Sequence, residues 1–146
     1  NLQDCSREQL LNAYDNTIAY TDHVLAQAIG WLQQRQASHD TALVYVSDHG
    51  ESLGENNLYL HGLPYSIAPD VQKHVPWITW LSPAMQARTG TPTACLQRDL
   101  AERRITHDNY FHSVLGLMDV KTGAYSAGLD MFAGCRQAAG AARAAG

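Results

Sequence analysis

The sequence has few charged residues and no long apolar segment, and each absence argues against a class of protein. Only 16% of its 146 residues are charged, the formal net charge is −4, and no basic run occurs. A basic nucleic-acid-binding surface is therefore excluded, and no nucleic-acid partner is expected. No uninterrupted apolar stretch reaches the roughly 20 residues that a transmembrane helix needs. No secretory signal pattern opens the chain.

Cysteine is also scarce, and its number is odd. The three cysteines are Cys5, Cys95 and Cys135. Three cysteines fit an oxidising compartment with one partner missing, or three reduced thiols in a cytosolic protein. We favour a disulfide between Cys95 and Cys135 because each lies in a polar segment that flanks the last helical region. Cys5 would then pair with a cysteine outside this sequence.

What the chain does have is enough apolar sequence for a core. Hydrophobic residues make up 45% of the 146 residues, which is typical of a globular domain. We detect no internal repeat and no second domain. A helical pattern followed by a strand is one half of a βαβ unit, so the order of the first elements favours an α/β fold with a parallel sheet.

The stretch from 41 to 61, TALVYVSDHGESLGENNLYLH, carries the clearest chemical signal. It opens with an apolar, β-branched run over 42–46, which predicts a buried strand. The run ends at Asp48 and His49, and α/β sheets carry their functional sites outside the carboxyl ends of the strands. A second histidine, His61, follows twelve residues after the first.

Asp48 and His49 are the residue types of a metal site. Carboxylate oxygen and imidazole nitrogen are both zinc ligands, and a catalytic zinc commonly has about three protein ligands and one open position. The alternative is that Asp48 caps a turn and His49 is an ordinary loop residue. The neighbouring glycines, the acidic residues Glu51 and Glu55, and His61 argue against that alternative.

Four sequence segments resemble one enzyme family. SDHGESLGEN followed by LYLHGLPYSIAP closely resembles the metal-site segment of phosphoethanolamine transferases of the lipid A-modifying, colistin-resistance type, in the alkaline phosphatase and sulfatase superfamily. YDNTIAYTD upstream and HVPWITWLS downstream also resemble that family, so the resemblance covers most of the chain. One departure is Asn57, where the family has glycine. Asparagine also tolerates a left-handed backbone.

The resemblance implies a fold and a place within a larger protein. The fold would be an α/β/α sandwich with a mainly parallel sheet, of the alkaline phosphatase/sulfatase type. Residues 1–146 would form the C-terminal part of the catalytic domain. The N-terminal membrane domain and the segment that bears the nucleophilic threonine would lie outside the chain, so the chain itself would contain no catalytic nucleophile.

The resemblance also implies a reaction. Zinc would support the transfer of phosphoethanolamine from phosphatidylethanolamine to lipid A or another envelope glycolipid, through a phospho-threonine intermediate. Asp48 and His49 match zinc ligands, and His61 matches a histidine assigned to the substrate phosphate or to a second metal. The enzyme would act at the periplasmic face of the bacterial inner membrane, held there by the N-terminal domain.

Two alternatives remain at this point. One is a sulfatase or phosphodiesterase hydrolase on the same metal core, in which water replaces the glycolipid acceptor. The other is a fragment that keeps the fold and performs no chemistry.

Several local patterns predict individual elements. Ser6 and Gln9 form a predicted capping box for a helix over about 8–36 with an apolar stripe at Tyr14, Ile18, Leu25, Ile29 and Leu32. A strand is predicted over 75–81, a short helix over 83–87, and a helix from an N-cap at Thr106 through 118. The predicted buried face of that last helix comprises Phe111, Val114, Leu115 and Met118. The alanine-rich and glycine-rich tail from 137 onward is expected to fray.

Overall fold

The structure, a computed structural model, describes residues 2–101 and 103–136. The described residues up to Arg35, together with Leu43–Trp80, form one compact unit; Gln36–Ala42 and the described residues from Leu81 onward form another. No described helix is long and apolar enough to cross a membrane. The prediction for the tail from 137 onward lies outside the described residues.

The described residues form four α-helices and four strands. The helices are α1 (Arg7–Gln33), α2 (Pro83–Thr89), α3 (Thr93–Leu100) and α4 (Asp108–Leu117), and the strands are β1 (Ala42–Val46), β2 (Ser52–Leu53), β3 (Tyr59–Leu60) and β4 (Trp77–Leu81).

The start of α1 is fixed by the predicted capping box. The Gln9 backbone N–H donates to Ser6 Oγ at 3.2 Å, and the Ser6 N–H donates to Gln9 Oε1 at 2.8 Å. Two of the backbone N–H groups that every helix start leaves without a partner are thereby satisfied. The capping box is confirmed, and the helix ends at Gln33 instead of Gln36.

The apolar stripe of α1 is only partly covered. No residue of this helix is buried. Four members of the predicted stripe are half-buried, whereas Ile18 is 51% exposed. Within its unit, α1 contacts β2. Since β2 has only two residues, it is too short to cover a stripe of this length.

The strands pair in two two-stranded sheets, β1 with β4 and β2 with β3. Strands β2 and β3 are antiparallel. At one end of the other pair the Ser47 N–H donates to Pro76 O at 3.2 Å, and at the opposite end the Ser82 N–H donates to Thr41 O at 2.9 Å. These two contacts make β1 and β4 antiparallel as well. The predicted mainly parallel sheet is thus not seen among the described residues.

The absence of parallel pairing has a simple topological reason. A βαβ unit needs a strand before its helix, and the described residues before α1 contain only a 3₁₀ helix, Leu2–Asp4. Strands β1 and β4 are joined by residues 47–76, whose only helical segments in the structure are short 3₁₀ turns. Antiparallel neighbours need no helical crossover, so this connection suits the pairing that is observed.

In the second unit, Ser82 joins the end of β4 to α2. Its hydroxyl oxygen accepts hydrogen bonds from the Met85 N–H at 3.2 Å and from the Thr41 N–H at 3.1 Å, and the residue is fully buried. Ser82 is therefore the N-cap of α2. The predicted short helix is confirmed, and it continues to Thr89.

The predicted disulfide joins α3 to the segment after α4. Cys95 and Cys135 are bonded, with 5.9 Å between their Cα atoms and 40 residues between them in sequence. Cys5 is exposed and takes part in no disulfide within the described residues. The pairing favoured from the sequence is confirmed.

The buried face of α4 differs from the predicted one. Phe111 and Met118 are 53% and 61% exposed. The buried residues of the helix are instead Asn109, Ser113 and Leu117. Asn109 Nδ2 donates to Leu129 O at 2.8 Å, and Ser113 Oγ accepts from the Met131 N–H at 2.9 Å. Hydrogen bonds to this distant segment therefore determine which face of α4 is buried. Apolar periodicity had predicted a different face.

The start of α4 differs by one position. Its N-cap is His107 instead of Thr106. The Thr106 N–H donates to the Asn109 side-chain oxygen at 2.8 Å, so the two residues still interact across the first turn.

A buried carboxylate holds the segment after α4. Asp130 is fully buried, pairs with Arg136, and accepts a hydrogen bond from the Tyr125 hydroxyl at 2.7 Å. Burial, and then the neighbouring Asp130 carboxylate, raise the pKa of Tyr125. A Cβ atom at position 116 would collide with the Asp130 carboxylate, which is why α4 carries a glycine there.

Candidate metal centre

The turn after β1 presents Asp48 and His49. Ser47 Oγ donates to His49 O at 2.9 Å, and Asp48 Oδ1 accepts from the His49 N–H at 3.1 Å. These two bonds fix the backbone directly after the strand. The Asp48 side chain is 89% exposed, and its Oδ2 lies 3.7 Å from His49 Nε2.

Gly50 allows another segment to pack directly against this turn. Its N–H donates to Gln72 O at 3.0 Å. A Cβ atom at this position would overlap the carbonyl oxygen of Val71. Gln72 is buried, and its Nε2 donates to Ser52 Oγ at 2.8 Å. The 3₁₀ helix Asp70–Gln72 is thereby held against both ends of the turn.

Gly50→Ala is expected to destabilise the protein by about 1–3 kcal/mol, the usual cost of forcing extra volume into a packed site. Backbone atoms, which cannot rotate away, surround the added methyl group. Thermal unfolding of the two proteins measures the difference. Gly123→Ala is the control, because no atom lies within 4 Å of a Cβ there. Equal melting temperatures for Gly50→Ala and wild type would contradict the tight packing.

Pairing of β2 with β3 brings His61 back to the turn. Ser52 lies opposite Leu60 in this pair, so the next residues outward, Glu51 and His61, become neighbours. His61 Nδ1 lies 2.9 Å from Glu51 Oε1. The rings of His49 and His61 stack with 3.5 Å between centroids.

The connection between these two strands depends on left-handed backbone. Gly54, Asn56 and Asn57 have φ of 108°, 54° and 61°. Glycine and asparagine are the residues that adopt this region most readily. Asn57 therefore adopts here a backbone conformation that is also open to the glycine expected from the resemblance. Glu55 has a structural part in this turn, since its carboxylate accepts from the Leu53 N–H at 2.7 Å.

His49, Glu51 and His61 form a three-residue cluster. One possible ligand atom from each lies within 4.8 Å of the others. His49 Nδ1 lies 3.1 Å from Gly50 O, and His61 Nδ1 faces the Glu51 carboxylate. Because a carbonyl or carboxylate oxygen only accepts, the proton belongs on Nδ1 in both rings. Both Nε2 atoms then carry the lone pair that a metal ligand requires.

Two observations test whether these residues fit a metal ion. Glu51 Oε2 is buried and has no hydrogen-bond partner, and an unsatisfied buried carboxylate oxygen is costly unless a cation or donor meets it. Two ligand atoms of a tetrahedral zinc lie about 3.3 Å apart, close to the 3.7 Å between Asp48 Oδ2 and His49 Nε2. The donor set of imidazole and carboxylate fits zinc.

The structure therefore brings together His49 and His61, with Asp48 beside His49 but outside the three-residue cluster. Glu51 is the residue whose part in the site the sequence reasoning missed. No local pattern marks it, because His61 reaches it through the pairing of Ser52 with Leu60.

Residues 2–120 match the model of the sulfatase family. The chain belongs to the sulfatase family. It is 52% identical over 136 residues to phosphoethanolamine transferase EptA of Salmonella typhimurium, covering 93% of this chain and 25% of the relative. It is 43% identical over 122 residues to phosphatidylethanolamine transferase Mcr-2 of Escherichia coli, covering 84% of this chain and 21% of the relative.

A solved structure also matches. The integral membrane protein lipooligosaccharide phosphoethanolamine transferase A from Neisseria meningitidis matches with a TM-score of 0.88 and 43% identity, over 93% of this chain and 25% of that one. The fold is thus of the alkaline phosphatase/sulfatase type, as predicted. This sulfatase-family chain spans about a quarter of the length of these relatives or less.

Proposed function

We propose that this chain is the C-terminal part of the catalytic domain of a zinc-dependent phosphoethanolamine transferase. The donor would be phosphatidylethanolamine, and the acceptor would be lipid A or another envelope glycolipid. The observation that carries the proposal is the cluster of His49, Glu51 and His61 beside Asp48. Two relatives and one solved structure that are similar to this chain are named as transferases of this group.

Asp48 and His49 are the residues proposed to hold zinc. A bound zinc ion polarises a phosphoryl oxygen and activates a hydroxyl nucleophile. His49 supplies Nε2, because its other nitrogen is engaged with Gly50 O. The exposed Asp48 carboxylate supplies oxygen. The nucleophilic threonine, and the phospho-threonine that it forms, are proposed to belong to another part of the protein.

His61 is proposed to act on the substrate phosphate or on a second metal. Glu51 Oε1 orients its ring through Nδ1 at 2.9 Å, which directs Nε2 away from Glu51. That nitrogen binds a cation through its lone pair or, once protonated, donates to a phosphoryl oxygen. In either form it stabilises charge that develops during transfer. Glu51 positions His61 through Oε1 in this scheme, and its buried, unpartnered Oε2 can meet the second metal.

The proposed donor bears on the site of action. Phosphatidylethanolamine is a membrane lipid, and the Neisseria protein is described as an integral membrane protein. We propose that this protein acts at the periplasmic face of the bacterial inner membrane and is attached there through an N-terminal domain.

The test is a transfer assay on the full-length protein with head-group-labelled phosphatidylethanolamine, with and without lipid A. Label should appear on lipid A, and its mass should rise by one phosphoethanolamine group. Label that is released to water equally well without lipid A would identify a hydrolase. Absence of both products would mean that this protein performs no such chemistry.

His61→Ala is expected to lower transfer by about tenfold to a thousandfold, as the loss of one charge-stabilising group does. The tightly held zinc should remain. Turnover and zinc content are measured on the same preparation. The control is His74→Ala, since His74 is exposed and lies outside the cluster. Normal turnover would give His61 a structural role, and loss of all zinc would make it a primary ligand.

A further inference from the structure

Gln72 makes two hydrogen bonds that hold the chain on either side of Glu51. Its main-chain oxygen accepts from the Gly50 N–H at 3.0 Å, and its side-chain Nε2 donates to Ser52 Oγ at 2.8 Å. Gly50 and Ser52 are the two neighbours of Glu51 in sequence. One residue thus fixes the backbone directly before and directly after the glutamate of the candidate metal centre.

The side-chain bond lies in the interior of its compact unit. Gln72 is 7% exposed and Ser52 is 1% exposed. Other parts of the protein that pack on this chain can only add to this burial, so the bond does not depend on what surrounds the chain. An apolar pair of the same shape can be equally stable at a buried place. What the polar pair adds is direction, since a hydrogen bond holds its partners within a narrow range of distance and angle.

The position of Ser52 determines where two possible ligand side chains lie. Ser52 directly follows Glu51, and it pairs with Leu60, which directly precedes His61. Glu51 Oε1 in turn lies 2.9 Å from His61 Nδ1. A displacement of Ser52 therefore moves the glutamate and the histidine. Metal–ligand distances are held within about 0.2 Å, so even a small displacement weakens the binding of a metal ion.

The carboxylate of Glu51 favours a cation over a phosphate as the occupant beside it. Its Oε2 is buried and has no hydrogen-bond partner. Such an oxygen is costly unless a cation or a donor meets it. A phosphate group carries the same sign of charge as the carboxylate and offers this oxygen no compensation, whereas a divalent cation does.

We propose that Gln72 is a positioning residue of the candidate metal centre: its bond to Ser52 holds Glu51 and His61 in the arrangement that binds a second divalent cation. The proposal rests on the proposed function, in which His61 acts on the substrate phosphate or on a second metal, and it selects the metal. Residues behind the metal ligands typically contribute tenfold to a hundredfold in metal affinity, although they do not touch the ion. Gln72 acts in this way through the backbone of residues 50–52.

Gln72→Met in the full-length protein tests the proposal. Methionine has nearly the length of glutamine and cannot donate to Ser52 Oγ, while the main-chain bond to Gly50 remains. The metal-free protein is titrated with Zn²⁺ by calorimetry, and its melting temperature is measured on the same preparation. A second variant, Gln72→Met with Ser52→Ala, removes both polar partners and leaves no buried hydroxyl unsatisfied. The matched control is Ser113→Ala, which also removes a buried hydrogen bond, the one from the Met131 N–H at 2.9 Å, but in the other compact unit.

We expect two zinc equivalents in the wild type, and in Gln72→Met a dissociation constant of the weaker equivalent that is raised about tenfold to a hundredfold. The double variant should show the same loss of affinity with a melting temperature closer to wild type, whereas Ser113→Ala should melt lower and bind both equivalents normally. Unchanged zinc binding in both Gln72 variants, recovery of affinity together with the melting temperature, or a wild type with only one zinc equivalent overturns the proposal. Weakened zinc binding in Gln72→Met of a protein that transfers no phosphoethanolamine would uphold the positioning role while refuting the transferase function.

Discussion

His49→Ala in the full-length protein is expected to remove most of the bound zinc and to lower phosphoethanolamine transfer by about a thousandfold or more. His49 is held by its own turn, where Ser47 Oγ donates to its carbonyl oxygen at 2.9 Å. Its Nε2 lies 3.7 Å from Asp48 Oδ2. The other ring nitrogen, Nδ1, is engaged with Gly50 O at 3.1 Å, so Nε2 is the ligand atom that the substitution removes.

Zinc content by elemental analysis and transfer to lipid A are measured together, and Asp48→Ala should behave in the same way. The control is His23→Ala. His23 lies on α1, and its ring nitrogen makes a hydrogen bond of 2.9 Å to Gln27, so both quantities should stay at the wild-type level. Wild-type zinc content in His49→Ala and in Asp48→Ala would show that the ion, if one is bound, is held elsewhere.

The residues of this site differ in how readily the sequence predicts them. Asp48 and His49 are recognisable because they are adjacent and directly follow an apolar strand, which is local information. The place of Glu51 depends on the pairing of β2 with β3, which puts Ser52 opposite Leu60. Two-residue strands leave almost no periodic pattern, so this register, and the part of Glu51 in the cluster, appear only in the structure.

The same limit explains the error in α4. Apolar periodicity predicted a buried face that includes Phe111, yet Asn109 and Ser113 are the buried residues. Their side chains bond to Leu129 and Met131, 20 and 18 residues away. A polar residue is buried when a partner satisfies it, and that partner is invisible to a pattern confined to one helix. The capping box of α1, by contrast, has both partners within one turn and was predicted correctly.

The relative direction of the strands also could not be predicted from local sequence patterns. The order of α1 and β1 favoured a parallel sheet, but the described neighbour of β1 is β4. The site loop between these strands contains no α-helix, so it returns the chain in the opposite direction. The loop that carries the candidate metal centre is thus the same connection that makes β1 and β4 antiparallel.

The second large effect is expected at the disulfide. Replacing both Cys95 and Cys135 with serine should lower the free energy of unfolding by up to about 4 kcal/mol, because the bond closes a loop of about 40 residues in the unfolded chain. Cys135 is 1% exposed, so the serine hydroxyl that replaces its sulfur would also be buried. The bond joins α3 to the segment that pairs Asp130 with Arg136, and both should loosen together. Denaturant unfolding of the full-length protein measures the loss.

Reduction of the wild-type protein separates the two causes, since it breaks the bond without adding a hydroxyl group. A loss of unfolding free energy in the reduced protein close to that of the double variant would assign the effect to the closed loop, and a much smaller loss would assign it to the buried hydroxyl groups.

Cys5→Ser should leave the Cys95–Cys135 bond intact in peptide mapping, since Cys5 is exposed and lies in the other compact unit. A map that joins Cys5 to either of the other cysteines, or unchanged stability in both the double variant and the reduced protein, would contradict this account. The closed loop contains the whole of α4. We therefore expect the loss of the disulfide to destabilise mainly the packing of α4, whose buried face is held by hydrogen bonds more than by apolar contacts.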